Sequence, residues 1–172
     1  MGDGPTADSA TARQERSPSD YAGAIYGSLL AASVVAGTGP GHQPPNPGQL
    51  IALLLATGVV FWLAHVYAHL VGEKSSRALV SLTEFRVCAR REWPIVQAAV
   101  PPAAAVGIGV LLGLSNAGAA WLALAVAVGS QLGWALYVAA KAGATRGRLV
   151  AAGVINLFLG LVIVLLKAAL TH

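Results

Sequence analysis

Five long apolar runs divide this chain of 172 residues. Each run has 17 to 24 residues, and roughly 20 apolar residues in an α-helix cross the hydrocarbon core of a bilayer. A lipid-exposed backbone must satisfy its own polar groups, which an α-helix does within one segment. The sequence therefore predicts an all-α polytopic membrane bundle of five transmembrane helices. The predicted spans are 21–37, 50–71, 95–114, 117–140 and 149–170.

The composition excludes two large classes of protein. Hydrophobic residues make up 56% of the chain and charged residues only 10%, with a mean hydropathy of +0.67, which is too apolar for a soluble domain. The net charge of +4 comes from basic residues that lie between the apolar runs, as in the loops of a membrane protein. The expected partner is therefore the lipid bilayer and not nucleic acid.

The distribution of lysine and arginine predicts the orientation. In the five-span arrangement, ten of the eleven basic residues fall on one side: two in the tail, five in residues 72–93 and three in residues 141–148. Cytoplasmic loops carry the excess of positive charge, so the amino terminus is expected to be cytoplasmic. Lys167 is alone on the other side, where it is expected to reach the outer surface. An excess of arginine over lysine in an alanine- and glycine-rich chain is typical of a GC-rich bacterial genome, which favours a multi-pass protein of a bacterial cytoplasmic membrane.

The first 20 residues differ from the spans in composition. Residues 1–20 are polar, contain proline and lack apolar periodicity, which predicts a disordered tail ahead of a transmembrane domain at 21–172. Val34 and Ala36 resemble a signal-peptide cleavage site, so removal of the first span is an alternative.

Between the second and third spans, apolar residues recur at helical spacing and predict a short amphipathic interfacial helix with its arginines towards lipid phosphates. A solvated loop helix is the alternative. The recurring residues are Ala78, Leu82, Phe85 and Ala89.

The second span contains two histidines, His65 and His69, one helical turn apart on a stripe shared with Gly58 and Trp62. Ionisable groups at membrane depth are costly and are functional candidates by default. On the predicted topology, most strongly polar intramembrane residues fall in the cytoplasmic half of the bundle. This favours an inward-facing polar pocket, with a structural hydrogen-bonded network or a partner-facing stripe as alternatives. The candidate residues are His65, His69, Tyr26, Gln97, Gln131, Tyr137 and Asn156.

The histidine pair allows several kinds of chemistry. Histidines at i and i+4 can chelate one metal ion, so His65 and His69 are candidate ligands, which Glu73, Glu84 or Cys88 could join if the interfacial helix folds back. Haem would need a second axial ligand from elsewhere. Glu73, beside the histidines, is a candidate proton relay. No hydrolase pattern occurs, so no catalytic residue is assigned, and the sequence requires no cofactor.

Prolines and glycines predict details of the helices. Pro101 and Pro102 cannot donate to the carbonyls of Gln97 and Ala98, so a kink is expected in the third span. Glycines also recur at four-residue spacing, which is typical of close helix packing within the bundle, in a homo-oligomer or against a partner membrane protein. These pairs are Gly23 with Gly27, Gly109 with Gly113, and Gly129 with Gly133.

The sequence thus supports three functional hypotheses. The first is a small transporter-like or solute- or ion-binding membrane protein with a cytoplasm-facing pocket at His65 and His69. The second is a non-catalytic accessory subunit that packs against a partner. The third is a metal- or haem-dependent membrane enzyme.

Overall fold

A computed structural model describes residues 18–38, 45–72 and 81–170. All regular elements in these ranges are helices, and four segments are long and apolar enough to cross a membrane: Pro47–Gly72, Leu82–Leu111, Asn116–Lys141 and Arg146–Ala169. A shorter apolar helix, Ala22–Gly37, is a fifth candidate. The prediction of an all-α membrane-type protein is confirmed, with four to five helices apolar enough to span. The elements are α1 (Pro18–Gly37), α2 (Pro47–Gly72), α3 (Leu82–Glu92), α4 (Pro94–Gln97), α5 (Val100–Leu111), α6 (Asn116–Lys141) and α7 (Arg146–Leu170).

Two glycines with positive φ end α5 and α6. Gly113 has φ of +74°, and the amides of Gly113 and Leu114 donate to the carbonyls of Val110 and Gly109, which is a Schellman motif. Gly143 ends α6 in the same way. The helix of the third span therefore ends at Leu111, three residues before the predicted limit of 114, because only glycine adopts the left-handed conformation without strain.

Helix α1 begins at Pro18 and not at residue 21. Proline suits the first turn of a helix because its missing amide hydrogen has no partner there in any case. The last three residues of the predicted disordered tail are therefore helical, and the remainder of that tail lies outside the described residues.

The predicted amphipathic helix is present as α3, and it is the first part of the third long segment. Its amino end is closed by a capping box in which the Ser81 hydroxyl accepts from the Thr83 amide and the Glu84 carboxylate accepts from the Ser81 amide. Trp93 keeps helical φ and ψ, so α3 leads directly into α4. Ala78, which belongs to the predicted pattern, lies outside the described residues.

The predicted proline kink is also present. Ala98 and Ala99 form a turn between α4 and α5, and Pro101 and Pro102 occupy the first turn of α5. The Ala99 amide donates to the Val96 carbonyl, three residues back, which tightens the chain at this point.

Small residues let α1 approach this kinked segment closely. A Cβ atom built on Gly27 would lie 2.7 Å from the Ile95 carbonyl oxygen and 2.8 Å from the Ala98 Cβ. A Cβ on Gly23 would meet the Ile95 side chain at 3.3 Å. In a bilayer, helices associate through van der Waals packing, so the missing side chains permit the contact that joins α1 to α4.

Lys167 of α7 lies inside the bundle. Its residue exposure is 4%, and Nζ donates a hydrogen bond of 2.8 Å to the Val35 carbonyl near the carboxyl end of α1. Nζ also lies 5.8 Å from the ring centroid of Trp121, within cation–π range. The last carbonyls of a helix lack amide partners and carry the negative end of its dipole, so they attract an ammonium group. The expectation that Lys167 reaches the outer surface is therefore wrong.

We predict that Gly27→Ala destabilises the bundle by about 1 to 3 kcal/mol, because the new methyl group meets backbone and not a flexible side-chain end. Gly129→Ala is the matched control: a Cβ there meets nothing within 4 Å, and the higher helix propensity of alanine should stabilise α6 by up to about 1 kcal/mol. The free energy of unfolding in mixed detergent micelles measures both. Equal effects of the two substitutions would contradict the close α1–α4 contact.

Candidate functional site

The second histidine of α2 meets an acid from α3. His69 Nε2 lies 3.1 Å from Glu92 Oε1, with the His69 side chain 41% exposed and the Glu92 side chain 11% exposed. The contact is an ion pair when the imidazole is protonated and a hydrogen bond otherwise. A largely buried carboxylate needs such a partner, because leaving it unpaired is costly. The pair therefore fixes the carboxyl end of α3 against α2.

Three further contacts join α2 to α3 and to Trp93 at its end. Trp62 Nε1 donates a hydrogen bond of 2.8 Å to the Ala89 carbonyl, and its ring packs edge-on against Trp93 with centroids 5.5 Å apart. The Cys88 thiol lies 3.8 Å from the Val66 carbonyl oxygen. The predicted stripe of α2 thus faces the third long segment at Trp62 and His69, as it does at Gly58 beside Ala99.

A cavity of about 260 Å³ lies between α2 and α3. Its wall combines an imidazole, a thiol, a hydroxyl, a carboxylate and a guanidinium with two aliphatic side chains. This mixture can hold a ligand that has one polar end and one apolar end. The lining residues are His69, Leu70, Thr83, Glu84, Val87, Cys88 and Arg91.

His65 lies apart from the cavity wall and faces α1. Its Nδ1 is 2.9 Å from the Phe61 carbonyl oxygen of the preceding turn, and its ring centroid is 5.0 Å from that of Tyr26. Both histidines also line a shallow depression of about 210 Å³ with Ala68 and Gly72. His65 and Tyr26 therefore adjoin the His69 site without entering the cavity between α2 and α3.

Gln131 and Asn156 form a separate polar pair between α6 and α7. Gln131 Nε2 donates to Asn156 Oδ1 at 3.3 Å, and Asn156 Nδ2 donates to the Ala152 carbonyl at 3.0 Å. The Gln131 residue is 1% exposed, and its Oε1 has no hydrogen-bond partner among the described residues. This geometry is that of interhelical polar packing.

The remaining predicted residues belong neither to the histidine site nor to the Gln131–Asn156 pair. Gln97 is exposed on α4, and Tyr137 is exposed on α6, where its ring packs edge-on against Trp134 with centroids 6.0 Å apart. Glu73, the predicted proton relay, lies outside the described residues. The structure thus divides the seven predicted pocket residues among several places and brings His65, His69 and Tyr26 together.

In the described part of the chain, no three histidine, cysteine or acidic side chains are close enough to share a metal ion. His65 and His69 each contact a protein oxygen, from Phe61 and Glu92 respectively. The metal hypothesis therefore gains no third ligand from the described residues.

Sequence reasoning missed three polar residues of the site, Glu92, Arg91 and Thr83, and the two aliphatic residues of the cavity wall, Leu70 and Val87. The signal was present in the heptad-like spacing of α3, where residues 84, 88 and 91 share one face. The sequence predicts an amphipathic helix in this segment with its arginines towards lipid phosphates, and only the packing of α3 on α2 shows which of its charges face α2.

Comparison of this chain with protein-family models, with curated proteins and with solved structures finds no match.

We predict that Glu92 is energetically coupled to His69 and not to His65. In double-mutant cycles that combine Glu92→Gln with His69→Gln or His65→Gln, the first pair should show a coupling of about 0.5 to 3 kcal/mol, as contacting polar groups do. The second should show a coupling near zero, because His65 contacts its own helix and Tyr26. The free energy of unfolding in mixed micelles is the readout. Equal coupling of Glu92 to both histidines would show that the 3.1 Å contact does not hold α3 in place.

Proposed function

We propose that this chain is a five-span protein of a bacterial cytoplasmic membrane that binds a small solute or ion in the α2–α3 cavity, which opens towards the cytoplasm, as a transporter-like protein does. The observation that carries the proposal is the cavity wall itself. A cavity whose wall contains ionisable side chains, next to a His69–Glu92 pair whose carboxylate is largely buried, is an expensive arrangement in an apolar bundle, and such arrangements mark solute and ion pathways.

Neighbouring contacts support the five-span topology. Gly23 lies beside Pro94, and Gly27 lies beside Ala98, so α1 runs parallel to the third segment. Gly58 lies beside Ala99, whereas Trp62, one turn further on, packs on Trp93, so α2 runs antiparallel to that segment. Helix α1 has 20 residues, which extend about 30 Å at 1.5 Å per residue and match the hydrocarbon core. This favours α1 as a fifth span, with α3 at the membrane interface.

The positions of the basic residues support a cytoplasmic opening. The Lys167–Val35 hydrogen bond joins the carboxyl ends of α1 and α7, so the amino end of α7, with Arg146 and Arg148, belongs to the opposite end of the bundle. The arginines of α3 belong to that same end, because α3 packs on the last turns of α2. A cytoplasmic location for this basic end follows from the charge bias of membrane proteins.

The His69–Glu92 pair suits coupling between ligand and proton. Histidine gains and loses a proton more readily at physiological pH than other side chains do. A ligand that enters the cavity meets His69 on one wall, while Glu92 contacts the same imidazole from α3. In this proposal Glu92 has the relay role that the sequence suggested for Glu73.

A second candidate function is that of an accessory membrane subunit. The observation that favours it is the low burial of α7, of whose most apolar stretch only 6% is buried, compared with 50% for the most apolar stretch of Leu82–Leu111. A partner helix could cover that face. Co-purification of a stoichiometric second membrane protein with the full chain, with Cys88 equally reactive before and after its removal, would favour this function over the first.

We predict that a membrane-impermeant maleimide labels Cys88 in inverted membrane vesicles and not in intact spheroplasts. Cys88 is the only cysteine of the chain and lines the cavity, so its labelling reports both sidedness and occupancy. We further expect a deproteinised extract of the expression host to slow this labelling in the purified protein.

The control is Ala142→Cys in a Cys88→Ser background. Residue 142 is exposed at the carboxyl end of α6, outside the cavity, so it should label from the same side without protection by the extract. Labelling of Cys88 only from the outside would contradict the proposed site. Equal slowing of labelling by the extract at positions 88 and 142 would also contradict it.

A further inference from the structure

The acidic and basic side chains of α3 differ in their contacts. Of its two carboxylates, Glu84 accepts a hydrogen bond from the Ser81 amide in the capping box, and Glu92 faces His69 from a largely buried position. Its three arginines, Arg86, Arg90 and Arg91, are exposed, and no ion pair involves them among the described residues. The accessible surface of α3 is therefore cationic.

Only one of these arginines belongs to the cavity. Arg91 lines it together with Thr83 and Val87, whereas Arg86 and Arg90 lie on another side of the helix. A guanidinium group binds phosphate through two parallel hydrogen bonds, and the Thr83 hydroxyl is a further donor in the same wall. The Glu84 carboxylate also lines the cavity, but it accepts the Ser81 amide hydrogen at the amino end of α3, two turns from Arg91. The end of the cavity at Arg91 therefore matches a phosphate ester.

The other part of the wall is apolar. Leu70 and Val87 complete the lining, and Val87 is 65% exposed, so this apolar surface continues to the outside of the helix pair. The cavity of about 260 Å³ is smaller than the range of roughly 300 to 1,000 Å³ typical of sites that enclose a whole drug-sized ligand. It has room for a headgroup, while the rest of an amphipathic ligand would lie along the apolar surface.

The depth of the site favours a ligand from the membrane. Helix α3 contacts α2 between Trp62 and Leu70, within the last three turns of a long apolar helix, and Trp93 is 44% exposed at its end. Exposed tryptophan and arginine beside apolar side chains are typical of the headgroup level of a bilayer. Phosphate groups of lipids lie at this level.

We infer that the cavity between α2 and α3 binds one anionic phospholipid of the inner leaflet, with its phosphate on Arg91 and Thr83 and its acyl chains along Leu70 and Val87. This inference rests on the binding cavity and the cytoplasmic opening of the proposed function, and it names a membrane lipid in place of a small solute or ion as the ligand. A water-soluble phosphate ester shares the headgroup chemistry but leaves Leu70 and Val87 uncovered, so the lipid fits both halves of the wall.

The test measures protection of Cys88 in the full-length protein in detergent micelles. Dioleoylphosphatidylglycerol should slow alkylation by N-ethylmaleimide, whereas dioleoylphosphatidylcholine and glycerol 1-phosphate should not. Native mass spectrometry should find one retained phosphatidylglycerol per chain.

Arginine variants separate a specific site from general surface charge. Arg91→Gln should raise the half-protecting lipid concentration about tenfold, which corresponds to the loss of one charge-assisted hydrogen bond. Arg86→Gln makes the same change of charge on the same helix outside the cavity and should leave that concentration unchanged within about twofold. Arg91→Lys keeps the positive charge but loses the planar guanidinium group, so its half-protecting lipid concentration should lie between those of the unchanged protein and Arg91→Gln. Helicity by circular dichroism checks that each variant is folded.

Each contrary outcome has a distinct meaning. Equal effects of Arg91→Gln and Arg86→Gln, or equal protection by phosphatidylcholine, would overturn the lipid site. Protection by glycerol 1-phosphate that depends on Arg91 would overturn the lipid as ligand and retain the cavity as a phosphate site. If the host extract protects Cys88 but no phosphate compound does, the inference fails and the proposed function stands. If nothing protects Cys88, both fail.

Discussion

The close approach of α1 to the backbone of the third segment is the contact on which the rest of the bundle depends. Gly27 lets α1 lie against Ile95 and Ala98 at a distance that no side chain would permit. Lipid tails are as apolar as the helices, so association in a bilayer depends on close packing and on polar contacts. Once α1 and α4 are in contact, Gly58 brings α2 to the adjoining face of the same segment at Ala99.

The candidate site follows from this arrangement. Because α3 continues into α4 through a helical Trp93, the packing of α4 also determines where α3 lies against α2. Glu92 then faces His69, Trp62 reaches the Ala89 carbonyl, and a polar cavity remains between the two helices. The candidate site is thus positioned by two helices, and sites built on helices are held more precisely than sites on loops.

Polar side chains have two different roles in this bundle. Lys167 and the Gln131–Asn156 pair make contacts between helices, the first at the carboxyl end of α1 and the second between α6 and α7. The His69–Glu92 pair also joins two helices, but it borders an accessible cavity with an arginine and a thiol. The position of a polar group relative to a cavity, and not its depth in the membrane, therefore separates the packing contacts from the candidate binding site.

The sequence by itself determined the membrane class, the helical segments and the turns between them, because these depend on local properties. Run length and the proline pair at 101 and 102 act within a few residues of their own positions, whereas Gly113, which the sequence assigned to a packing pair, is found at the end of α5 only in the structure. The same reasoning found the His65–His69 stripe, because helical spacing fixes which residues share a face.

Only the tertiary structure decided which residues meet that face. The pairing of His69 with Glu92, the burial of Lys167 against Val35 and the separation of Gln131 and Asn156 from the histidines all depend on how helices distant in sequence pack together. Helix periodicity carries no information on this packing, because several neighbours can cover the same apolar face equally well.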